Sequence, residues 1–319
     1  MKKIFLNNLL IILIFFILFE ILLRTFNLAD LRGHGAGLTN GKKNIETIVF
    51  GKKVYIDSYG YRVPKNNFLY KNEKKIVFIG DSVLFGSGVK EEETFVGKLR
   101  KSNLNISFIN SSFVGNDISK FLNNIEINHE IFNANDFYIV LTLDDIIISN
   151  SERKNDVLVN NPNKESLFRK LKKNVFFAKI NYFLRSRSYT YLWIKGVTTK
   201  PSERYFFESF EYYKNENEIN NLNKEIEKIS EASNLKNISV KFLILPYEYQ
   251  VRKNCNKDFL QPQEVLIKVF IQNNIKYMNL TNSFCDYSGS KKLYLNFDPV
   301  HLSPEGHDLV YKEIKKKIK

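Results

Sequence analysis

The chain has 319 residues, of which 44% are hydrophobic and 14% aromatic, a composition that excludes wholesale disorder and allows one large domain or two modest ones. Its 48 Lys and Arg residues outnumber 34 Asp and Glu residues, which gives a formal charge of +14. This excess favours anionic partners such as lipid or glycan. Nucleic acid is not expected as a partner, because no zinc-finger, RRM or helix-turn-helix signature accompanies the charge.

The first element is an apolar run from Ile4 to Leu23, preceded by Lys2 and Lys3. Twenty residues at helical rise can cross the hydrocarbon core of a membrane. No convincing cleavage site follows, so we interpret residues 1–26 as an uncleaved transmembrane anchor, with a cleaved signal peptide as the alternative. The two lysines favour a cytoplasmic N-terminus and an extracytoplasmic remainder.

Residues 27–73 form a polar, glycine-containing juxtamembrane linker. Within it, Lys52–Pro64 is predicted to form a short hairpin or edge strand, with a turn at Ser58–Gly60.

From residue 74 onwards, apolar runs typical of buried strands alternate with helical patterns. Strands separated by helices predict a parallel sheet covered on both faces, here a flavodoxin-like three-layer α/β/α domain with five strands over residues 74–319. Ligands of such sheets bind at the carboxyl ends of the strands. The predicted strands are Lys75–Gly80, Ile106–Asn110, Phe137–Leu143, Val240–Pro246 and Lys276–Asn279, and the helices include Glu93–Lys101, Ile118–Ile127 and Gln263–Gln272.

The alternation is interrupted by a predicted helical insert over about residues 150–235. Its first part, Glu165–Gly196, is basic and aromatic, and could be a lid, a surface against lipid headgroups, or a helical segment packed on the sheet. Its second part, Glu203–Asn234, is predicted to be one long helix.

The chain has two cysteines, Cys255 and Cys285. In an extracytoplasmic domain they can form a disulfide, and two buried thiols are the alternative. C-x-x-C spacing is absent, so zinc or thioredoxin-type chemistry has no support.

The first predicted strand stops at Gly80-Asp81-Ser82. A dinucleotide fingerprint would need a third glycine that is missing here, and a P-loop would need GK[ST]. The remaining interpretation is a nucleophile: Ser82 on a sharp strand-to-helix turn, with its hydroxyl exposed and a backbone N–H free to face an oxyanion.

A serine nucleophile needs a base, and His301 is the candidate among the four histidines. Ser303 followed by Pro304 predicts a helix start, which places His301 on the preceding loop. Asp298, three residues earlier, can reach back and hold one imidazole tautomer. The other histidines, His34, His129 and His307, are expected at the surface.

With these residues in place, the sequence resembles the SGNH, or GDSL, serine hydrolases over most of residues 74–319. The resemblance is carried by "FIGDSVLFGSGV" with Ser82, "INSSFVGND" with Gly115, and "DPVHLSPEGH" with Asp298 and His301. It implies that Gly115, 33 residues after Ser82, supplies a backbone N–H to the oxyanion hole. "EILLR" in the anchor and "DSYGYRVPK" in the linker resemble a membrane-anchored subgroup.

One block departs from the family pattern. Where the family has G-x-N-D, this chain has Thr142-Leu143-Asp144-Asp145, so Asp144 takes the place of the oxyanion-hole asparagine. An ionised Asp144 would repel the oxyanion, and losing one such donor costs roughly 10²–10³ in rate. The alternatives are a protonated Asp144, a substitute donor at Asn116, or an impaired enzyme.

The resemblance implies ester hydrolysis through Ser82, His301 and Asp298, with no cofactor and no metal. The implied substrate is an acyl ester, in particular O-acyl groups of cell-envelope glycans or lipids, with the membrane contacted through the N-terminal helix. An O-acetyltransferase with the same triad, a membrane acyltransferase as partner, and a catalytically impaired envelope scaffold are the alternatives.

Overall fold

The computed structural model describes residues 2–33, 35–65, 70–148, 175–289 and 292–318. The strands within these ranges are β1 Ile45–Val49, β2 Lys52–Ile56, β3 Arg62–Val63, β4 Lys75–Gly80, β5 Ser107–Ser112, β6 Asp136–Leu141, β7 Ser239–Ile244 and β8 Lys276–Asn279. The α-helices are α1 Lys2–Thr25, α2 Ser82–Phe85, α3 Phe95–Ser102, α4 Ile118–Phe132, α5 Val175–Arg187, α6 Tyr189–Thr199, α7 Pro201–Phe210, α8 Glu216–Leu235, α9 Glu248–Arg252, α10 Gln261–Gln272, α11 Thr281–Cys285 and α12 Pro304–Lys315.

Five parallel strands form the central sheet, in the order β5-β4-β6-β7-β8. Phe78 and Tyr138 are register partners and share one face of the sheet, whereas Phe242 is paired with Ile139 and faces the other way. Helix α3 packs on the first face through a ring contact between Phe95 and Phe78, and α10 packs on the second through Phe270 and Phe242. The predicted three-layer α/β/α class is therefore confirmed.

Capping residues explain where the helices beside the sheet begin. Thr94 accepts a hydrogen bond from the Gly97 N–H at the start of α3, and Asp117 accepts one from Ser119 at the start of α4. The predicted start of α12 is confirmed: Ser303 accepts from the Gly306 N–H and Pro304 occupies the first turn.

A small antiparallel sheet, β1-β2-β3, lies in the segment that precedes the domain. The β2–β3 pair is the predicted hairpin, with its turn between Ile56 and Arg62. The apolar side chains of the small sheet pack on Phe85 at the end of α2. This sheet therefore contacts the turn that carries Ser82.

Helix α1 is the one helix in the described ranges that is long and apolar enough to cross a membrane, a test that a signal sequence would also pass. Its last turns pack on α6, where the ring of Phe19 meets Trp193 at 5.3 Å. Glu20 accepts hydrogen bonds from the N–H groups of Tyr189 and Thr190 at 2.9 and 2.8 Å, and so caps α6.

The insert differs from its prediction. Residues 149–174, which include the first ten residues of its basic and aromatic part, lie outside the described residues, as does His34. The single helix predicted over Glu203–Asn234 is wrong. Asn215 caps a new helix by accepting from the Asn217 N–H, so α7 and α8 are separate helices joined by a 3₁₀ turn.

The prediction of a surface position for His307 is also wrong. His307 is fully buried on α12, where its Nδ1 accepts a hydrogen bond from the Phe95 N–H at 3.4 Å. Burial, with neighbouring cations, lowers its pKa to about 3. His307 therefore joins α12 to α3 as a neutral core residue. The cysteine alternatives resolve as a disulfide between Cys255 and Cys285.

Candidate active site

Ser82 opens α2 directly after β4, at the carboxyl edge of the sheet. The Asp81 side chain accepts a hydrogen bond from the Val83 N–H at 2.8 Å, which turns the chain away from the strand. Gly86 ends the short helix with φ +77°, and a Cβ there would lie 2.5 Å from the Thr94 methyl group. The turn therefore needs glycine at position 86 both for its conformation and for its space.

Arg62 of β3 supports this turn from within the protein. Its guanidinium donates to the carbonyl oxygens of Phe85 and Gly86 at 2.6 Å and of Val89 at 2.7 Å. Burial lowers the pKa of Arg62 to about 10, and the nearby Glu91 carboxylate opposes that shift. Arg62 was not predicted to support this turn, because its carbonyl partners lie 23 to 27 residues further along the chain.

The structure brings Ser82, His301 and Asp298 together as a hydrogen-bonded chain. The Ser82 Oγ lies 3.0 Å from His301 Nε2. On the other side of the ring, His301 Nδ1 lies 2.9 Å from Asp298 Oδ2 and 3.0 Å from Oδ1. Asp298 Oδ1 also accepts from the N–H groups of Val300 and His301, which locks the carboxylate into its own loop.

The charged groups around Ser82, His301 and Asp298 favour a role of His301 as a base. Burial would raise the pKa of Asp298, but the charge of Arg32 and the charge and hydrogen bonds of His301 hold it well below its usual range. Burial alone would lower the pKa of His301, but the charge and hydrogen bond of Asp298, with help from Asp81, raise it above its ordinary value. His301 is thus a stronger base than a free imidazole.

Phe50 covers one side of His301. Its ring meets the imidazole at a centroid distance of 5.6 Å and an interplanar angle of 74°. Phe50 and Gly51 form the tip of the β1–β2 hairpin, both with positive φ, as a two-residue type I′ turn requires. The small sheet thereby places the Phe50 ring against His301. These residues are 251 positions apart, and no sequence pattern predicted their contact.

Gly115 follows β5 with φ +78°, and beyond its two chain neighbours no heavy atom of the described residues lies within 4 Å of the place where a Cβ would stand. An open position at the carboxyl edge of the sheet fits a backbone that must approach a substrate. The neighbouring Asn116 uses its N–H on the Phe113 carbonyl oxygen at 3.1 Å. The oxyanion-hole roles of Ser82 and Gly115 remain predictions.

Asp144 is surrounded by hydroxyl donors. Its Oδ1 accepts from Tyr247 at 2.5 Å and from Thr142 at 2.9 Å, and its Oδ2 accepts from Tyr205 at 2.5 Å. These contacts satisfy a carboxylate as an acceptor and tie α7 and the end of β7 to the end of β6. The place of Asp144 in the oxyanion hole also remains a prediction.

Two further buried acids lie next to Asp144. Burial and the charge of Asp144 raise the pKa of Asp81 to about 6. Burial, with the charges of Asp81 and Asp144, raises the pKa of Asp145 well above its ordinary value, although Asp145 accepts from the Thr142 N–H at 2.6 Å. Among the described residues, no group of His, Cys, Asp and Glu has the arrangement of a metal site.

No family model and no curated protein matches the chain. Solved structures are similar to it at low identity. A lipolytic protein of the G-D-S-L family from Veillonella parvula is 16% identical, covering 76% of this chain and 97% of its own, with a TM-score of 0.42. The lipase/acylhydrolase from Enterococcus faecalis is 17% identical over 77% and 97%, with a TM-score of 0.41. A catalytic mutant of the acetylxylan esterase Axe2 from Geobacillus stearothermophilus is 12% identical over 78% and 96%, with a TM-score of 0.43.

Proposed function

We propose that the protein is a serine hydrolase of the SGNH type that cleaves acyl esters. The observation that carries the proposal is the continuous chain from Ser82 Oγ through His301 to Asp298, with heavy-atom distances of 3.0 and 2.9 Å. A serine hydroxyl is activated when it is hydrogen-bonded to a base and a buried carboxylate orients that base.

In the proposed reaction, the Ser82 oxygen attacks the acyl carbonyl carbon while His301 Nε2 takes the hydroxyl proton. The buried Asp298 carboxylate stabilises the imidazolium that forms. The N–H groups of Ser82 and Gly115 are proposed to donate to the tetrahedral oxyanion. His301 then returns the proton to the leaving alcohol, and an acyl group remains on Ser82.

Water, activated by the same histidine, would release the acyl group as a carboxylic acid. A sugar hydroxyl in place of water would make the protein an acyltransferase with the same residues. We favour hydrolysis of O-acyl groups on cell-envelope glycans or lipids, because residues 1–26 would anchor a domain over residues 74–319 beside the membrane. Lys2 and Lys3 favour an orientation with the catalytic domain outside the cytoplasm.

Hydrolysis of p-nitrophenyl acetate by the purified full-length chain tests the proposal. Ser82→Ala and His301→Ala are each expected to lower kcat by about 10⁴-fold or more, because triad members act as a unit. Ser102→Ala is the matched control, since Ser102 is exposed at the end of α3 and its hydroxyl donates to the Leu99 carbonyl oxygen, with no hydrogen bond to Ser82, His301 or Asp298 in the described part of the chain. Undiminished turnover by Ser82→Ala would show that this serine is not the nucleophile.

A further inference from the structure

The segment between α1 and β1 contacts the loop that carries Asp298. Asp30 Oδ2 accepts from the backbone N–H of Asn296 at 2.6 Å and from its side-chain amide at 3.0 Å. The Asn296 amide also donates to the Asn27 carbonyl oxygen at 2.8 Å, and Arg32 donates to the Asn296 carbonyl oxygen at 2.7 Å. Three polar groups of Asn296, its backbone N–H, its carbonyl oxygen and its side-chain amide, are thus held by hydrogen bonds two residues before Asp298.

Arg32 continues from Asn296 to the acid itself. Its Nη1 lies 2.8 Å from Asp298 Oδ2, the same oxygen that faces His301 Nδ1. The Arg32 side chain is only 15% exposed and that of Asp298 only 1%, so the pair is shielded from water. A buried charge-assisted pair has a defined geometry, because moving either partner leaves the other charge uncompensated. The Arg32 N–H also donates to the Arg185 carbonyl oxygen of α5 at 2.9 Å.

The same segment contacts the second loop of the site. Asn40 donates from Nδ2 to the Val114 carbonyl oxygen at 2.8 Å and accepts from the Val114 N–H at 3.1 Å. This pair of hydrogen bonds fixes the peptide directly before Gly115. One stretch of fourteen residues therefore contacts both the loop of the triad acid and the loop of the proposed oxyanion-hole glycine.

We infer that Asn27, Asp30, Arg32 and Asn40, in the segment between α1 and β1, form a positioning element of the active site, with Arg32 as its central residue. This inference rests on the proposed function. Arg32 is not assigned a contact with substrate: it acts through Asp298, whose carboxylate it holds in the plane that His301 needs. Asn40 acts in the same way on the backbone of Gly115.

Arg32 also affects the pKa of His301 through its charge, and this effect distinguishes a positioning residue from one that only stabilises the fold. The charged groups that face His301 are Asp298 on its own loop, Asp81 on the nucleophile turn and Arg32 on the segment; Arg185 of α5 acts on Arg32 and Asp298. Because the guanidinium opposes a positive imidazolium, removing it favours protonated His301. The acidic limb of kcat/KM, where His301 loses its proton, should then move to higher pH.

The experiment measures pH–rate profiles of the full-length chain with p-nitrophenyl acetate. Arg32→Gln is expected to lower kcat by about 10²-fold through misplacement of the triad, and to move the acidic limb upwards. Arg32→Lys keeps the charge, so its limb should stay at the wild-type position while kcat falls less. Arg204→Gln, an arginine on the exposed side of α7, is the matched control.

Asn40→Ala supplies an independent arm, because it leaves the charges unchanged. It is expected to lower kcat by about 10-fold with the acidic limb unmoved, since one loop is loosened and the base is untouched. The inference would be overturned if Arg32→Gln kept the wild-type kcat and the wild-type acidic limb of kcat/KM. It would also be overturned if Arg32→Gln and Arg32→Lys lost kcat equally and neither moved the acidic limb. If the wild type shows no Ser82-dependent turnover, the proposed function fails instead, and the two failures are distinguishable.

Discussion

Replacing Asp144 by asparagine tests what this carboxylate does. In the family pattern an asparagine at this position donates to the oxyanion. The resemblance therefore predicts that Asp144→Asn raises activity by roughly 10²-fold if Asp144 is ionised in that place, and gains little at low pH if Asp144 is protonated. The contacts predict another result. The hydroxyls of Tyr205 and Tyr247 both donate to the carboxylate, and an asparagine offers one oxygen acceptor in place of two. The single hydroxyl hydrogen of Thr142 is shared between Asp144 and Asp145.

The expected magnitude follows from the lost bonds. A hydrogen bond to a charged group contributes about 1.5–3 kcal/mol, and Asp144→Asn turns an NH₂ group towards at least one hydroxyl donor. A loss of about 2 kcal/mol in the free energy of unfolding lowers Tm by about 4–8 °C in a domain of this order of size. We expect this destabilisation with no gain in kcat/KM, because the new amide hydrogen-bonds to the hydroxyls of Tyr205 and Tyr247 and is not available to the oxyanion.

The assay combines thermal unfolding by circular dichroism with ester hydrolysis. Tyr205→Phe and Tyr247→Phe each remove one donor and should also lower Tm. Asp258→Asn, an exposed acid far along the chain, is the control. An unchanged Tm together with a 10²-fold rise in kcat/KM would refute this reasoning and place the side chain in the oxyanion hole.

Two further predictions follow from the site and from α1. Asp298 raises the pKa of His301 above its ordinary value of 6.5, and the base must be neutral to act. The value of kcat/KM should therefore begin to fall on acidification at a pH above 6.5. A pH–rate profile whose acidic limb lies at or below pH 6.5 would contradict this prediction. If residues 1–26 are an uncleaved anchor, the expressed protein should sediment with membranes, resist extraction by alkaline carbonate and keep its full mass; a trimmed protein in the soluble fraction would identify a signal peptide.

The central sheet was predictable because its strands are short apolar runs in strict alternation with helical patterns. Boundaries differed where side chains intervene in the backbone. The strand predicted to Leu143 ends at Leu141, since the Thr142 N–H turns to the Asp145 carboxylate instead of a neighbouring strand. His307 could also have been found: it lies three residues before Val310 and seven before Ile314, on the buried face of one helix.

The meeting of Ser82, His301 and Asp298 was predictable for a related reason. Ser82 follows the end of a strand by two residues, and Asp298 and His301 lie in one loop, so each half of the constellation is local in sequence. The supporting contacts are different in kind. Arg32 meets Asp298 across 266 residues, and Arg62 meets Phe85 from another sheet, so only the folded chain brings them together. A lone arginine in a basic sequence carries no local signal of its partner.

The most direct test of the account is labelling of the full-length protein with a fluorophosphonate probe, which reacts with a serine hydroxyl only when a neighbouring base activates it. We expect one adduct, located on Ser82 by peptide mass spectrometry. It should be lost in Ser82→Ala and His301→Ala and retained in Ser102→Ala. We also expect slower labelling of Arg32→Gln. A correctly folded wild type that acquires no label, or a label on another serine that persists in Ser82→Ala, would contradict this expectation.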